Sequence, residues 1–171
     1  MAVDAGMEPM DDGKTPETDA FFEAFRAATG APVDGYDLTF FGDSPAMNDE
    51  LCDLILAGTK RATAMLLRDV TDAGEPMPVV GGFFVVVDGA GRPRCVCRTT
   101  DVTVKPLEET DDAFAFDEGE ADRTLAWWLK SHRAYFARQA AREGFEMHDR
   151  IETILERFTV VWPPELANGA A

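Results

Sequence analysis

The segment Leu51–Thr63, LCDLILAGTKRAT, constrains the chain more than any other, because an amphipathic helix runs into a glycine and hands over to a lysine and a threonine three residues apart. Met47, Leu51, Leu54 and Ile55 follow helical spacing, Ser44 and Pro45 supply an N-cap and a first-turn proline, and Gly58 is a natural stop. Lys60 and Thr63 therefore stand just past a helix end, on backbone that must turn sharply. An ammonium near a hydroxyl lowers that hydroxyl's pKa or holds an anion, so the pair is a nucleophile with its activator or part of a polar pocket. A capped helix followed by a solvated lysine and an ordinary strand threonine fits the same letters, and spacing alone favours that reading.

The 171 residues amount to one domain with enough apolar content for a real core. No run reaches membrane-spanning length and the N-terminus lacks the basic and apolar parts of a signal peptide, so a soluble, cytoplasmic protein is expected. Cys52, Cys95 and Cys97 are an odd, scattered set. Cys95 and Cys97 share one face of a strand with no second pair nearby, so buried reduced thiols are expected, and no metal or cofactor. The net charge of −16 argues against bulk binding of long nucleic acid, whose affinity comes largely from Lys and Arg releasing counterions. Met1 to Thr18 is rich in Asp, Glu, Gly and Pro without apolar periodicity and reads as an acidic tail.

Beyond the tail, Phe21, Phe22 and Phe25 form a helical stripe within Asp19–Thr29 that ends at Gly30, so residues 19–35 read as an N-terminal helical extension. Strands are expected over Ala62–Arg68, Gly82–Val87 and Arg94–Thr100, the last two joined by the glycine-rich turn Asp88–Gly91. Val102–Lys105 continues the sheet. An acidic connector then reaches Asp122, read as the cap of a long helix Arg123–Glu143 that stops at Gly144. A final strand, Ile154–Trp162, meets Pro163 and Pro164, and residues 163–171 read as a second tail.

Two residues on these elements bear on chemistry. Period two puts Ile154, Glu156, Phe158, Val160 and Trp162 on one face, so a carboxylate falls in an apolar row. A buried acid needs a partner, and an inward lysine is the obvious one; a wet strand edge with Glu156 in solvent is the alternative. His132 shares a helix face with Leu125, Trp128, Leu129 and Phe136, which by default makes it a hydrogen-bonded core residue.

Taken in order, the runs FGDSP (Phe41–Pro45), GxKxxT (Gly58, Lys60, Thr63), DGAGRP (Asp88–Pro93), EGEAD (Glu118–Asp122), the WxxxH pair Trp128 and His132, and ERF (Glu156–Phe158) resemble an ASCH domain over residues 36–162. The resemblance implies an α+β fold, a PUA-like small β-barrel flanked by helices, with a cleft beside the GxKxxT loop. Thr59 stands where a second lysine is frequent, Ala121 replaces the glycine of EGEGD, and Leu129 stands where an arginine is often found.

For function, the resemblance implies RNA-related work. Within the family's range, one short branch removes the acetyl group from acetylated cytidine, using the loop lysine and threonine with a glutamate ahead of the long helix. Lys60 and Thr63 match the first two, and Glu120, with Glu118 next, matches the third. The resulting expectation is a hydrolase for a modified nucleoside or small RNA-derived amide. Thr63 is its nucleophile, Lys60 the activator or oxyanion partner, Glu120 the proton shuttle, and Glu156 the orienter of Lys60. Gly58, Thr59, Arg61, Glu118, Arg94, Arg98 and His132 are expected on the substrate side. The alternatives are a non-catalytic RNA- or nucleotide-binding module using a stripe of Arg92, Arg94 and Arg98, or a ribonuclease with His132 as base.

Overall fold

The computed structural model describes residues 12–33 and 35–167. Helix α1 (Pro16–Thr29) starts three residues ahead of the expected Asp19, because Thr15 and Thr18 form a capping box around Pro16, and it ends at Gly30 in the left-handed region, φ 70°. The first eleven residues of the expected acidic tail, and residues 168–171 of the C-terminal one, lie outside the described residues. Helix α2 (Pro45–Leu56) is capped by the Ser44 side chain, which accepts from the Met47 amide.

Strands β1 (Asp37–Thr39), β2 (Ala62–Leu66), β3 (Phe83–Val87), β4 (Pro93–Pro106) and β5 (Glu152–Trp162) form one sheet in the order β1-β3-β4-β5-β2. Among the described residues only β1 and β3 run parallel; the other neighbours are antiparallel. β4 spans what the sequence divides into two strands, and register breaks along it and its neighbours, at Val86/Val87, Val96/Cys97 and Thr99/Asp101, curl the sheet into a half-barrel. The fold is α+β, as expected. β2 stops at Leu66 instead of Arg68, since the chain turns directly into the short helix α3 (Leu67–Thr71), whose Asp69 carboxylate accepts from the Leu66 amide.

Helix α4 (Asp112–Glu118) and helix α5 (Leu125–Glu143) complete the body. Thr124, rather than Asp122, caps α5 by accepting from the Trp127 amide; Asp122 instead braces that cap, accepting from the Thr124 amide at 3.0 Å and hydroxyl at 2.7 Å.

The core is built in three parts. α2 lays Cys52 and Ile55 on Phe84, Val86, Cys95, Cys97, Phe158 and Val160, and all three cysteines are buried free thiols. α4 and α5 bury Phe114, Trp128 and Phe136 against Ala62, Leu66 and Leu155. α1 sets Phe22 and Phe25 on Val85, Val87 and Val96. Trp162 belongs to this third group and not to the row of Phe158 and Val160, because β5 carries an extra residue, Val161, opposite the Val96–Cys97 step and its alternation reverses there. Among the described residues no helix is long and apolar enough to cross a membrane.

Candidate functional site

The stop of α2 positions Lys60. Gly58 turns with φ 77°, and the amides of Thr59 and Lys60 both fold back onto the Leu54 carbonyl, at 2.9 and 3.1 Å. The Arg61 amide then donates to the Asp117 carbonyl at 2.8 Å, fastening the loop to the end of α4. Gly119 makes that approach possible. It holds a left-handed conformation, φ 71°, and an added Cβ would collide with the Thr59 carbonyl and the Lys60 amide nitrogen. Glu118 and Glu120 flank this contact and reach the same ammonium: Lys60 Nζ lies 2.9 Å from Glu118 Oε2 and 3.0 Å from Glu120 Oε1.

The cluster is dry. The side chains of Lys60 and Glu118 are each 1% exposed, and that of Glu120 is 16% exposed. Burial alone would push the lysine pKa down, but the two facing carboxylates outweigh it and hold the ammonium above its ordinary value. Burial likewise works against ionised Glu118, yet Lys60 and His132 together hold it far below the carboxylate range. Glu120 moves the other way: burial and the neighbouring Glu118 charge outweigh Lys60 and raise its pKa. Two carboxylates on one cation are thus split into a permanent anion and a group readier to take a proton.

His132 closes the far side of Glu118. Its Nδ1 is 2.9 Å from the Trp128 carbonyl and its Nε2 3.4 Å from Glu118 Oε1, an ion-pair distance with no hydrogen bond formed. The ring stacks on Trp128 with centroids 3.9 Å apart. Both nitrogens face acceptors, which suits the imidazolium, and the carboxylates outweigh burial in raising its pKa.

Two cavities open onto this region. One, of about 310 Å³, is lined by Lys60, Thr63, Glu118, Glu120 and His132. The other, of about 720 Å³, holds Glu156 and Thr99. Thr63, Ala64, Phe41, Gly42 and Tyr135 line both, so Thr63 stands at their junction.

The structure therefore brings Lys60, Thr63, Glu118, Glu120 and His132 to one cavity but separates Glu156 from Lys60. Instead of orienting the lysine, Glu156 accepts from the Thr99 hydroxyl at 2.5 Å, since β5 faces β4 on that side while the lysine is engaged by the α4 connector. It is 9% exposed, so the wet-edge alternative fails as well. Arg94 and Arg98 line neither cavity. Arg92 and Arg94 instead face Asp88 at the β3–β4 turn, at 2.9 and 3.7 Å, and Arg98 is exposed. Arg61 is also exposed and donates its Nε back to the Gly58 carbonyl at 2.8 Å, while Thr59 meets Gly119 through its backbone. Thr99 and Gly119 escaped the sequence reading as site residues. Only the glycine had a local signal, its place between two acids.

A curled half-barrel of mixed strands, wrapped by helices and with a cleft at a helix-stop loop, defines a PUA-like α+β domain of RNA-binding type. The ASCH domain family matches residues 37–162, and the chain belongs to that family. It is similar to the ASCH domain from Lactobacillus crispatus JV V101, with 28% identity and a TM-score of 0.78 over 98% of this chain and 100% of that one. It is also similar to protein EF3133 from Enterococcus faecalis V583, with 27% identity and a TM-score of 0.78 over 85% and 88% of the two chains. No curated protein matches the chain.

Proposed function

We propose that this ASCH domain hydrolyses an amide on a modified nucleoside, of the acetylcytidine type. The observation that carries the reading is the buried Lys60 ammonium, held by Glu118 and Glu120 beside a cavity that Thr63 also lines. In this scheme the Thr63 hydroxyl attacks the amide carbonyl carbon and passes its proton to the Glu120 carboxylate. The oxyanion that forms is stabilised by Lys60. Collapse breaks the C–N bond, Glu120 returns the proton to the leaving exocyclic amine, and Thr63 is left as an acetyl ester. Water deprotonated by Glu120 cleaves that ester, giving acetate and restoring Thr63.

Glu120 suits the shuttle better than Glu118 because it is the more exposed of the two and its pKa is raised. Glu118, depressed and locked between Lys60 and His132, supplies the fixed charge that keeps the lysine in place. A small ligand also agrees with the net charge of −16, which opposes a long polyanion. His132 suits the ribonuclease's base less well, since the Trp128 carbonyl holds Nδ1 and the Glu118 carboxylate favours the protonated ring.

The test is incubation of acetylcytidine with the protein, with cytidine and acetate followed by chromatography. Equimolar release by the wild type and none by Thr63→Ala is expected; release that persists in Thr63→Ala would overturn the scheme.

A further inference from the structure

The larger cavity is unlike the catalytic one. Its volume of about 720 Å³ lies within the range of small-molecule sites, roughly 300–1,000 Å³. Around it stand Phe40, Met77 and Val79, apolar side chains 46%, 36% and 65% exposed, with Tyr36 and Phe83 also on its wall. Such a surface suits the flat face of an aromatic ring. Among these apolar groups lies one deeply buried carboxyl, Glu156, with Thr99 (3% exposed) donating to its Oε1. Oε2 has no hydrogen-bond partner among the described residues, and no cation pairs with the group.

The strand register gives this carboxyl a second property. Thr63 on β2 is directly opposite Glu156 on β5, so both project from one face of the sheet with Cβ atoms about 4.5–5.5 Å apart. A ring held by Glu156 would therefore carry its neighbouring substituent beside the Thr63 hydroxyl.

We infer that Glu156, braced by Thr99, is a base-reading group that takes a cytosine-type ring by the edge carrying a ring-nitrogen acceptor next to an exocyclic N–H donor. The inference rests on the nucleoside reading above and adds which edge of the base is recognised. A protonated carboxyl offers one O–H donor and one carbonyl acceptor side by side, which complements that edge. Oε2–H donates to the ring nitrogen, and Oε1, already accepting from Thr99, accepts the exocyclic N–H on its second lone pair. Guanine's N1–H and 2-amino pair would meet the O–H head-on, and its O6 and N1–H pair fits only with the ring reversed, the exocyclic oxygen at Oε2 and no exocyclic nitrogen beside Oε1. Burial, assisted by Asp37 and opposed by the Thr99 bond, raises the Glu156 pKa, in keeping with the protonated form. Bound in this way, the ring places its exocyclic nitrogen, and any acyl group on it, next to Thr63.

The experiment is calorimetric titration with cytidine, which cannot be deacylated, with guanosine as the comparison. Wild type is expected to bind cytidine more tightly than guanosine, whose matching pair seats the ring reversed. Glu156→Gln should stay within about threefold of wild type, because the amide keeps one donor beside one acceptor, whereas Glu156→Ala should lose about tenfold. Equal losses in the Gln and Ala variants, or a preference for guanosine, would mean that an ionised carboxylate does the reading and would overturn the inference. So would no binding of cytidine at millimolar concentration. Should Glu156→Ala fail to fold, Thr99→Val probes the same carboxyl, with a loss of at least about threefold expected and an unchanged affinity counting against it.

The two readings fail separately. Binding of cytidine through Glu156 with no cleavage of acetylcytidine would sink only the hydrolase. Undiminished cleavage and cytidine binding in Glu156→Ala would sink only the base reader.

Discussion

Replacing Lys60 with methionine keeps most of the stem volume and deletes the charge. The ammonium sits 2.9 and 3.0 Å from two carboxylate oxygens. At an effective dielectric constant of about 20, each attraction is worth roughly 5–6 kcal/mol before desolvation and the Glu118–Glu120 repulsion are set against it. The variant leaves Glu118, 1% exposed, with only His132 at 3.4 Å, and leaves Glu120 to turn toward the cavity. Breaking a buried pair from one side costs about 3–5 kcal/mol, and that loss is expected for Lys60→Met in urea unfolding at pH 7. For a chain of this size it corresponds to a fall in Tm of roughly 6–20 °C.

The pH dependence carries a sign. In the wild type, Glu118 is held below its ordinary 4.5, so its contribution is present above pH 4.5 and is lost as pH falls through the folded-state value. In the variant the same buried carboxyl lacks its cation, its folded pKa rises above 4.5, and the penalty it imposes disappears as acid protonates it. The gap between wild type and variant should therefore narrow from pH 7 to pH 4. A difference under about 1 kcal/mol that stays constant across that range would refute a buried ion-paired lysine.

Trp128→Ala should cost about 3–5 kcal/mol in urea unfolding, because it empties a space packed by Phe114 edge-on and His132 face-on; under about 1 kcal/mol would contradict that packing. Gly119→Ala should destabilise by about 1–3 kcal/mol, since the new Cβ meets the Thr59 and Lys60 backbone. Ala121, two residues on, is left-handed at φ 47°, so Ala121→Gly should leave thermal stability unchanged or raise it by up to about 1 kcal/mol. Long single-stranded RNA should bind weakly and lose affinity as salt rises, with a slope of only a few phosphates in filter binding; tight, salt-insensitive binding would contradict the electrostatic argument.

The parts of the site legible in the sequence were those with local causes. A proline-opened helix ending in glycine announced the Lys60 loop, and the run Glu118–Asp122 announced acids ahead of α5. Periodicity also found Trp128 and His132 on one buried face. The Glu156 partner was not legible, because Thr99 comes from a strand 57 residues away and two breaks in the β4–β5 register lie close to the pair. The misplaced face of Trp162 has the same origin, one extra residue in β5 that period two does not foresee. Arg92, Arg94 and Arg98 share parity in the sequence, but the first two are drawn to Asp88 at the turn, and parity alone does not show where a strand ends and its turn takes over.

The most direct test of the proposed chemistry is to look for the covalent intermediate. Glu120→Gln keeps a hydrogen-bonding group against Lys60 but removes the base that deprotonates water, so the acyl ester should form slowly and hydrolyse more slowly still. The variant would be incubated with acetylcytidine, quenched in acid, digested and analysed by mass spectrometry. The Thr63 acyl-ester route gives one acetyl group on the peptide that carries Thr63, attached at that residue and absent from Thr63→Ala. Acetate released by the wild type, with Thr63 unmodified in the variant or the acetyl group found on Lys60, would contradict it.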